Sequence, residues 1–201
     1  GDLKRIVRKW LDECLECQGD TYPALLMYRA LADTACDRIT AAITNTQVKK
    51  DRPVMAVVDP YNPTGSSKHI SFNTSKKLRW ECDSRQSHIN CAILDSTWEG
   101  EFCRIAEEHP KVVSYVKNHA MGFEVPYQYE GKKRRYIPDF ILQVDDGRGE
   151  DDLLNLVVEV KGYRGEEAKQ KRMTMDTYWV PGVNNSGRYG RWAFAEFTDI
   201  F

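Results

Sequence analysis

Three residues in the C-terminal half have the types and the spacing to do chemistry together: Asp139, Glu159 and Lys161. The run Leu153 to Val160 is almost continuously apolar and rich in Val and Leu, which predicts a strand buried on both faces. It ends in Glu159-Val160-Lys161, and the strand period of two puts Glu159 and Lys161 on one face. Upstream, Pro138-Asp139 opens a second apolar strand, Phe140 to Val144. Proline fits there because the first residue of a strand can forgo its ladder N–H. If the two strands pair, Asp139, Glu159 and Lys161 converge. Three charges near a sheet centre are costly unless something compensates them. A divalent cation held by the two carboxylates, with the lysine facing an anionic substrate, would do so.

Context carries this signal, because the string alone is common. E-x-K is expected about once by chance in a chain of this size. It occurs three times here, at Glu130-Gly131-Lys132, Glu159-Val160-Lys161 and Glu167-Ala168-Lys169. The first sits in a glycine turn and the last in a polar helix. Only the middle one ends a buried strand and follows a Pro-Asp strand.

Other elements must position this trio. Asp95-Ser96-Thr97-Trp98-Glu99 begins a helix, and Ser96 with Glu99 fits a capping box. At 100° per residue Glu99 falls with Phe102, Cys103 and Ala106 toward the buried side, whereas Glu101 joins Arg104 and Glu108 on the polar side. Glu99 is therefore the better helix acid for the site, although capping alone would also account for it. His109-Pro110 breaks the helix, and Lys111 to Asn118 is read as a second helical segment with Val112, Val113 and Val116 inward. Phe123 to Tyr129 reads as a strand, followed by the basic run Lys132-Lys133-Arg134-Arg135 just before Tyr136 and Pro138-Asp139. Positive charge beside such a centre is what a polyanionic backbone requires, so these four residues are candidate DNA contacts. The loop 145–152 is acidic and solvated. Glu166 to Tyr178 reads as a helix with Lys169, Lys171 and Arg172 on its surface, 181–190 as a loop, and Trp192 to Phe197 as a last strand.

The N-terminal half is plainer. Leu3, Ile6, Val7, Trp10, Leu11, Cys14 and Leu15 make an amphipathic helix stopped by Gly19, and a second helix is expected from Pro23 to about Ile43. Short strands are expected at Val54–Val58, His69–Phe72, Lys77–Cys82 and His88–Leu94. The connection 73–77 gathers hydroxyl, amide and ammonium donors, including Lys76 and Lys77. It suits either a phosphate grip or a solvated hairpin tip.

Composition narrows the classes. A net charge of −1 gives no global field to recruit nucleic acid, so any such binding falls to local patches. No apolar run is long enough to span a membrane, no signal-peptide layout occurs, and no G-x-x-x-x-G-K-[ST] phosphate loop is present. Six cysteines show no second C-x-x-C after Cys14/Cys17, and the four histidines have no ligand spacing, which favours reduced intracellular thiols over zinc. The chain opens with Gly and enters a helix at once, as a piece cut from a longer protein would.

The order helix, strand, strand, strand, helix, strand, with Pro138-Asp139 and Glu159-x-Lys161 on successive strands, looks like the PD-(D/E)xK nuclease core. More closely, DSTWEGEFCRIAEEHPKVVSYVKN, FEVPYQY, RRYIPDF and VVEVKGY resemble the C-terminal endonuclease domain of type III restriction enzyme Res (restriction) subunits. YNPTGSSKHISFNTSK and YWVPGVNN resemble the same group, so the likeness covers most of the chain. It implies an α/β (α+β) fold with a restriction-endonuclease-like core: a mixed central sheet flanked by helices, preceded by a helical and a small β-rich segment. The division would be 1–94, helical and β-rich, and 95–201, the nuclease domain. The resemblance further implies that Asp139 and Glu159 bind Mg²⁺ (Mn²⁺ able to substitute), with the Val160 carbonyl as third protein ligand. Lys161 completes the centre, and Glu99 matches the helix acid of many members. Gln170 and Tyr178 depart from the Q-x-x-x-Y spacing of some related nucleases. The expected partners are double-stranded DNA, an upstream helicase domain that alone would use ATP, and a methyltransferase or specificity subunit, in a prokaryotic cytoplasm without a membrane. Two other readings stay open: a catalytically silent DNA-binding module of a translocase, and a repair or RNA-processing nuclease on the same core.

Overall fold

A computed structural model describes residues 2–29, 31–32, 35, 54–57, 65–129, 132–160 and 165–198. By contacts the chain forms two compact units, one of residues 1–53 with 128–134, the other of 54–127 with 135–201. The boundary expected at 94/95 falls inside the second unit, because the short strands before it share that unit with the helix after it.

In the first unit, helix α1 spans Asp2–Glu13, and a 3-10 turn covers Pro23–Met27. Most of the long second helix expected up to Ile43 lies outside the described residues.

The second unit begins with 54–57, which run without regular structure where a strand was expected; Val58 is outside the described residues. Where a strand was expected at His69–Phe72, a 3-10 turn covers Ser67–His69 and 70–72 run without regular structure. Strands β1 (Arg79–Glu81) and β2 (Cys91–Ile93) pair antiparallel. Helix α2 (Thr97–Glu108) starts as capping chemistry dictates: Glu99 N–H donates to Ser96 Oγ at 3.3 Å. The Glu99 carboxylate reaches back one residue further than the usual box, accepting from Asp95 N–H at 3.0 Å.

The sequence expectation of a helix at 111–118 is corrected: Val112–Lys117 is strand β3. Val112, Val113, Tyr115 and Val116 are β-branched or aromatic, types that fit a pleated surface. A sheet edge to pair with decides the matter over the short apolar spacing.

Strands β4 (Val125–Tyr129) and β5 (Lys132–Tyr136) form a hairpin, and β6 (Phe140–Val144), β7 (Leu154–Val160) and β8 (Arg191–Phe197) complete the set. The main sheet has the order β3-β6-β7-β8. β6 is antiparallel to β3 and β7, while β8 runs parallel to β7. It is a mixed sheet flanked by helices, an α+β arrangement.

Alternation sorts the side chains of this sheet. Phe140 and Leu142 of β6, Val158 and Val160 of β7 and Tyr115 of β3 pack with Phe102, Cys103 and Ala106 of α2 in one core cluster. Burial of this apolar surface, at about 25 cal/mol per Å², is the main force seating α2 on the sheet. Glu107 on α2 ties the edge down: its Oε1 accepts from Tyr115 OH (2.6 Å), Asp83 N–H (2.9 Å) and Trp80 Nε1–H (3.1 Å).

After β7, helix α3 covers Glu166–Thr174, a π turn Met175–Trp179, and helix α4 Val180–Ser186. The expected loop from Pro181 is thus corrected to a helix. Pro181 sits in its first turn, where no N–H is needed, and Gly187 closes it in the left-handed region (φ 64°). Gly182 is needed for a close approach: Ala56 N–H donates to its carbonyl at 2.9 Å, and a Cβ there would meet Ala56 N at 3.2 Å. Asn184 exchanges two 2.8 Å hydrogen bonds with the Trp192 backbone, fastening α4 to β8.

Candidate active site

The site forms at the end of the sheet where β6 begins and β7 finishes. Phe140 pairs with Val158, and Asp139 N–H continues the ladder to Val158 O at 3.1 Å. Asp139 therefore lies against residues 158–160 of β7, just past the last registered pair. Proline at 138 and the bend at 139 end the strand there. The Asp139 carboxylate turns along the sheet end, where its Oδ2 accepts from Val160 N–H at 2.8 Å. Val160 thus contributes its N–H to this arrangement.

Glu159 is 6% exposed, and its Oε2 accepts a 2.5 Å hydrogen bond from Tyr136 OH. Burial raises the Tyr136 phenol pKa, and the Glu159 charge, its hydrogen bond and the Asp139 charge raise it further. The phenol is thereby held as a donor. Because its folded pKa lies above the unfolded value of about 10, its contribution to stability is complete below that pH and lost as pH rises beyond it. Alkaline titration is expected to show the Tyr136 phenolate absorbance only together with unfolding. A Tyr136→Phe variant should titrate one buried tyrosine fewer and lose about 1–3 kcal/mol in denaturant melts, since buried Glu159 loses a donor.

A lysine that the sequence reading passed over lies at the centre. Lys117, the last residue of β3, is 5% exposed. Its Nζ stands 2.8 Å from Glu99 Oε2 and 3.2 Å from Asp139 Oδ1, and 4.9 Å from the Phe140 ring centroid. Burial lowers its pKa, but the charges of Asp139 and Glu99 outweigh that and raise it. Glu99 (4% exposed) is thus joined to Asp139 through an ammonium. The two carboxylates and one ammonium leave one net negative charge. Next along the chain, Asn118 Nδ2 holds the carbonyls of Pro138 (2.9 Å) and Phe123 (2.8 Å), fixing the approach to Asp139. Its Oδ1 is buried without a hydrogen-bond partner.

On the other side of β7, Glu196 of β8 pairs in register with Glu159, and Arg172 of α3 meets it at 3.3 Å. Lys171 lies over the rings of Tyr136 (5.5 Å) and Tyr127 (5.7 Å). Lys169 and Arg172 are exposed as expected, whereas half-buried Lys171 is turned toward this end of the sheet.

The remaining candidates are placed as follows. Lys161 lies outside the described residues. Lys132, Lys133 and Arg134 belong to the first unit, where Arg134 stacks over the Tyr129 ring at 5.1 Å; Arg135 belongs to the second and pairs with Glu124 at 3.0 Å. Lys76 is ion-paired with Asp95, just ahead of α2, and holds the Asp95 carboxyl below its usual range. Lys77 is exposed. Glu101 pairs with Arg104 at 2.5 Å on the outer face of α2. The described cysteines are free thiols.

Among the described residues no three Asp, Glu, His or Cys side chains group closely enough to hold a metal ion. Asp139, whose side chain is 20% exposed, lies against the strand end that carries Glu159, and a Mg²⁺ ion would draw on these carboxylates. That ion keeps several waters and takes one or two carboxylates plus substrate phosphate oxygens. Also among the described residues, no helix is long and apolar enough to cross a membrane. The chain matches no protein-family model, no curated protein and no solved structure.

Proposed function

We propose that this chain is the metal-dependent endonuclease domain of a type III restriction-like system, hydrolysing phosphodiesters of duplex DNA on a PD-(D/E)xK core. The observation that carries the reading is the placement of Asp139 against residues 158–160 of β7, at the sheet end where Lys117 links it to Glu99. Support comes also from the main sheet β3-β6-β7-β8, with β8 parallel to β7 and helices before and after it, although its first strand is 112–117 and not the expected 123–129.

Mg²⁺, once bound by Asp139 and Glu159, supplies a water of lowered pKa and neutralises the phosphate. The protein groups do the rest by position. Val160 N–H and Lys117 hold the Asp139 carboxylate at the sheet end, and Tyr136 OH holds that of Glu159, so neither needs to reorganise when a substrate arrives. Lys161, two residues past Glu159 in the sequence, is the proposed group for charge building on the phosphorane. Lys132 to Arg135 and Lys77 are proposed contacts to the DNA backbone, with strongly salt-dependent binding. Any ATP use belongs to a helicase domain, and sequence choice to a methyltransferase or specificity subunit.

Supercoiled plasmid incubated with the chain should be nicked or linearised with Mg²⁺ or Mn²⁺ and remain intact with chelator. Single-stranded DNA and RNA run in parallel decide the substrate class. DNA retention without metal and without any nicking would instead support a silent binding module.

A further inference from the structure

The ammonium of Lys117 stands between two acids, Glu99 and Asp139, that could otherwise share a cation. Two-metal sites place their ions about 3.5–4 Å apart and share a carboxylate between them. Here the carboxylate available for sharing is Asp139, and the next acid beyond it is Glu99. Between those two stands Lys117 Nζ, at 3.2 Å and 2.8 Å. The ammonium is not a passing surface charge. Its side chain is 5% exposed, it rises from the end of a paired strand, and it lies against the Phe140 ring. Glu99 is equally committed, since the same Oε2 that meets Lys117 accepts from Asp95 N–H.

We propose that Lys117 is a built-in cation filling the seat between Glu99 and Asp139, so that the centre takes one divalent ion rather than two. The inference rests on the nuclease reading for the existence of the first ion. It assigns Glu99 the part of anchoring Lys117, one step removed from the metal, and makes Lys117 a positioning residue for Asp139.

Counting bound Mn²⁺ by equilibrium dialysis and by loss of the free-ion electron paramagnetic resonance signal tests it without reference to cleavage. The intact chain should bind one Mn²⁺. Glu99→Gln should keep that count, because a glutamine at 99 removes no ligand. Lys117→Met, which vacates the seat while leaving both acids, should raise the count to two; should it fail to fold, the intact chain and Glu99→Gln decide. Two ions on the intact chain, falling to one in Glu99→Gln, would overturn the inference while leaving the nuclease reading standing. A folded Lys117→Met that still binds one would also overturn it. Failure of the intact chain to bind any Mn²⁺ at millimolar concentration would remove both.

Discussion

Asp139→Ala is expected to abolish Mg²⁺-dependent plasmid cleavage while the circular dichroism spectrum stays that of the native chain. The side chain accepts from Val160 N–H and Lys117, and is the proposed ligand at the open end of β6. Metal stabilisation of transition-state charge is worth several kcal/mol, and at 1.36 kcal/mol per decade its loss corresponds to about 10³-fold or more in rate. Asp139→Asn separates ligation from packing. Its amide oxygen can still accept from Val160 N–H, so stability should fall by no more than about 1–3 kcal/mol, the range for one perturbed buried hydrogen bond. Cleavage should nonetheless be lost. Cutting by either variant at the native rate would contradict the assignment.

Lys117→Met is expected to give the largest loss of stability. Removing one partner of a buried ion pair leaves the other charge buried and uncompensated, at about 3–5 kcal/mol. Glu99, with a 5% exposed side chain, is the stranded charge; Asp139, 20% exposed, is hydrated more readily. The companion change follows from that asymmetry. Glu99→Gln combined with Lys117→Met removes the stranded charge and should recover much of the loss, appearing as a favourable coupling in a double-mutant cycle. Urea denaturation of the two single variants and the double variant gives the three values needed. A loss of under about 1 kcal/mol for Lys117→Met would show that the pair does not have the buried character described, since exposed pairs fall in that range.

The strands at 140–144 and 154–160 and the start of α2 were legible because their signals are local. Proline at 138 marks the start of a strand, and the apolar run 153–160 reads as a buried one, which β7 is over its second half. Ser96 and Glu99 announce a helix start. What the sequence concealed depends on neighbours. Val112, Val113 and Val116 have spacing compatible with a helix, and only the edge of β6 makes 112–117 a strand. Once it is a strand, period two puts Lys117 on the face of Tyr115, toward α2, and the lysine enters the site. The valine-rich, aromatic composition of that segment was the available signal. Pro181 was misleading for a related reason: proline stops a helix interior but suits a first turn, and the preceding π turn makes 181 a beginning. Tyr136 could not be read as the partner of Glu159 from spacing, since the two are 23 residues apart and meet only through the pairing of β6 with β7.

The proposed reaction requires a divalent ion held by Asp139 and Glu159. Fe²⁺ bound in place of Mg²⁺, with ascorbate and peroxide, generates radicals that cut the polypeptide beside the ion. Cleavage is expected in two stretches remote in sequence, one around residue 139 and one around 159–160, and should be suppressed by excess Mg²⁺ and lost in Asp139→Ala. Cuts at other positions alone, or an undiminished pattern in Asp139→Ala, would contradict it.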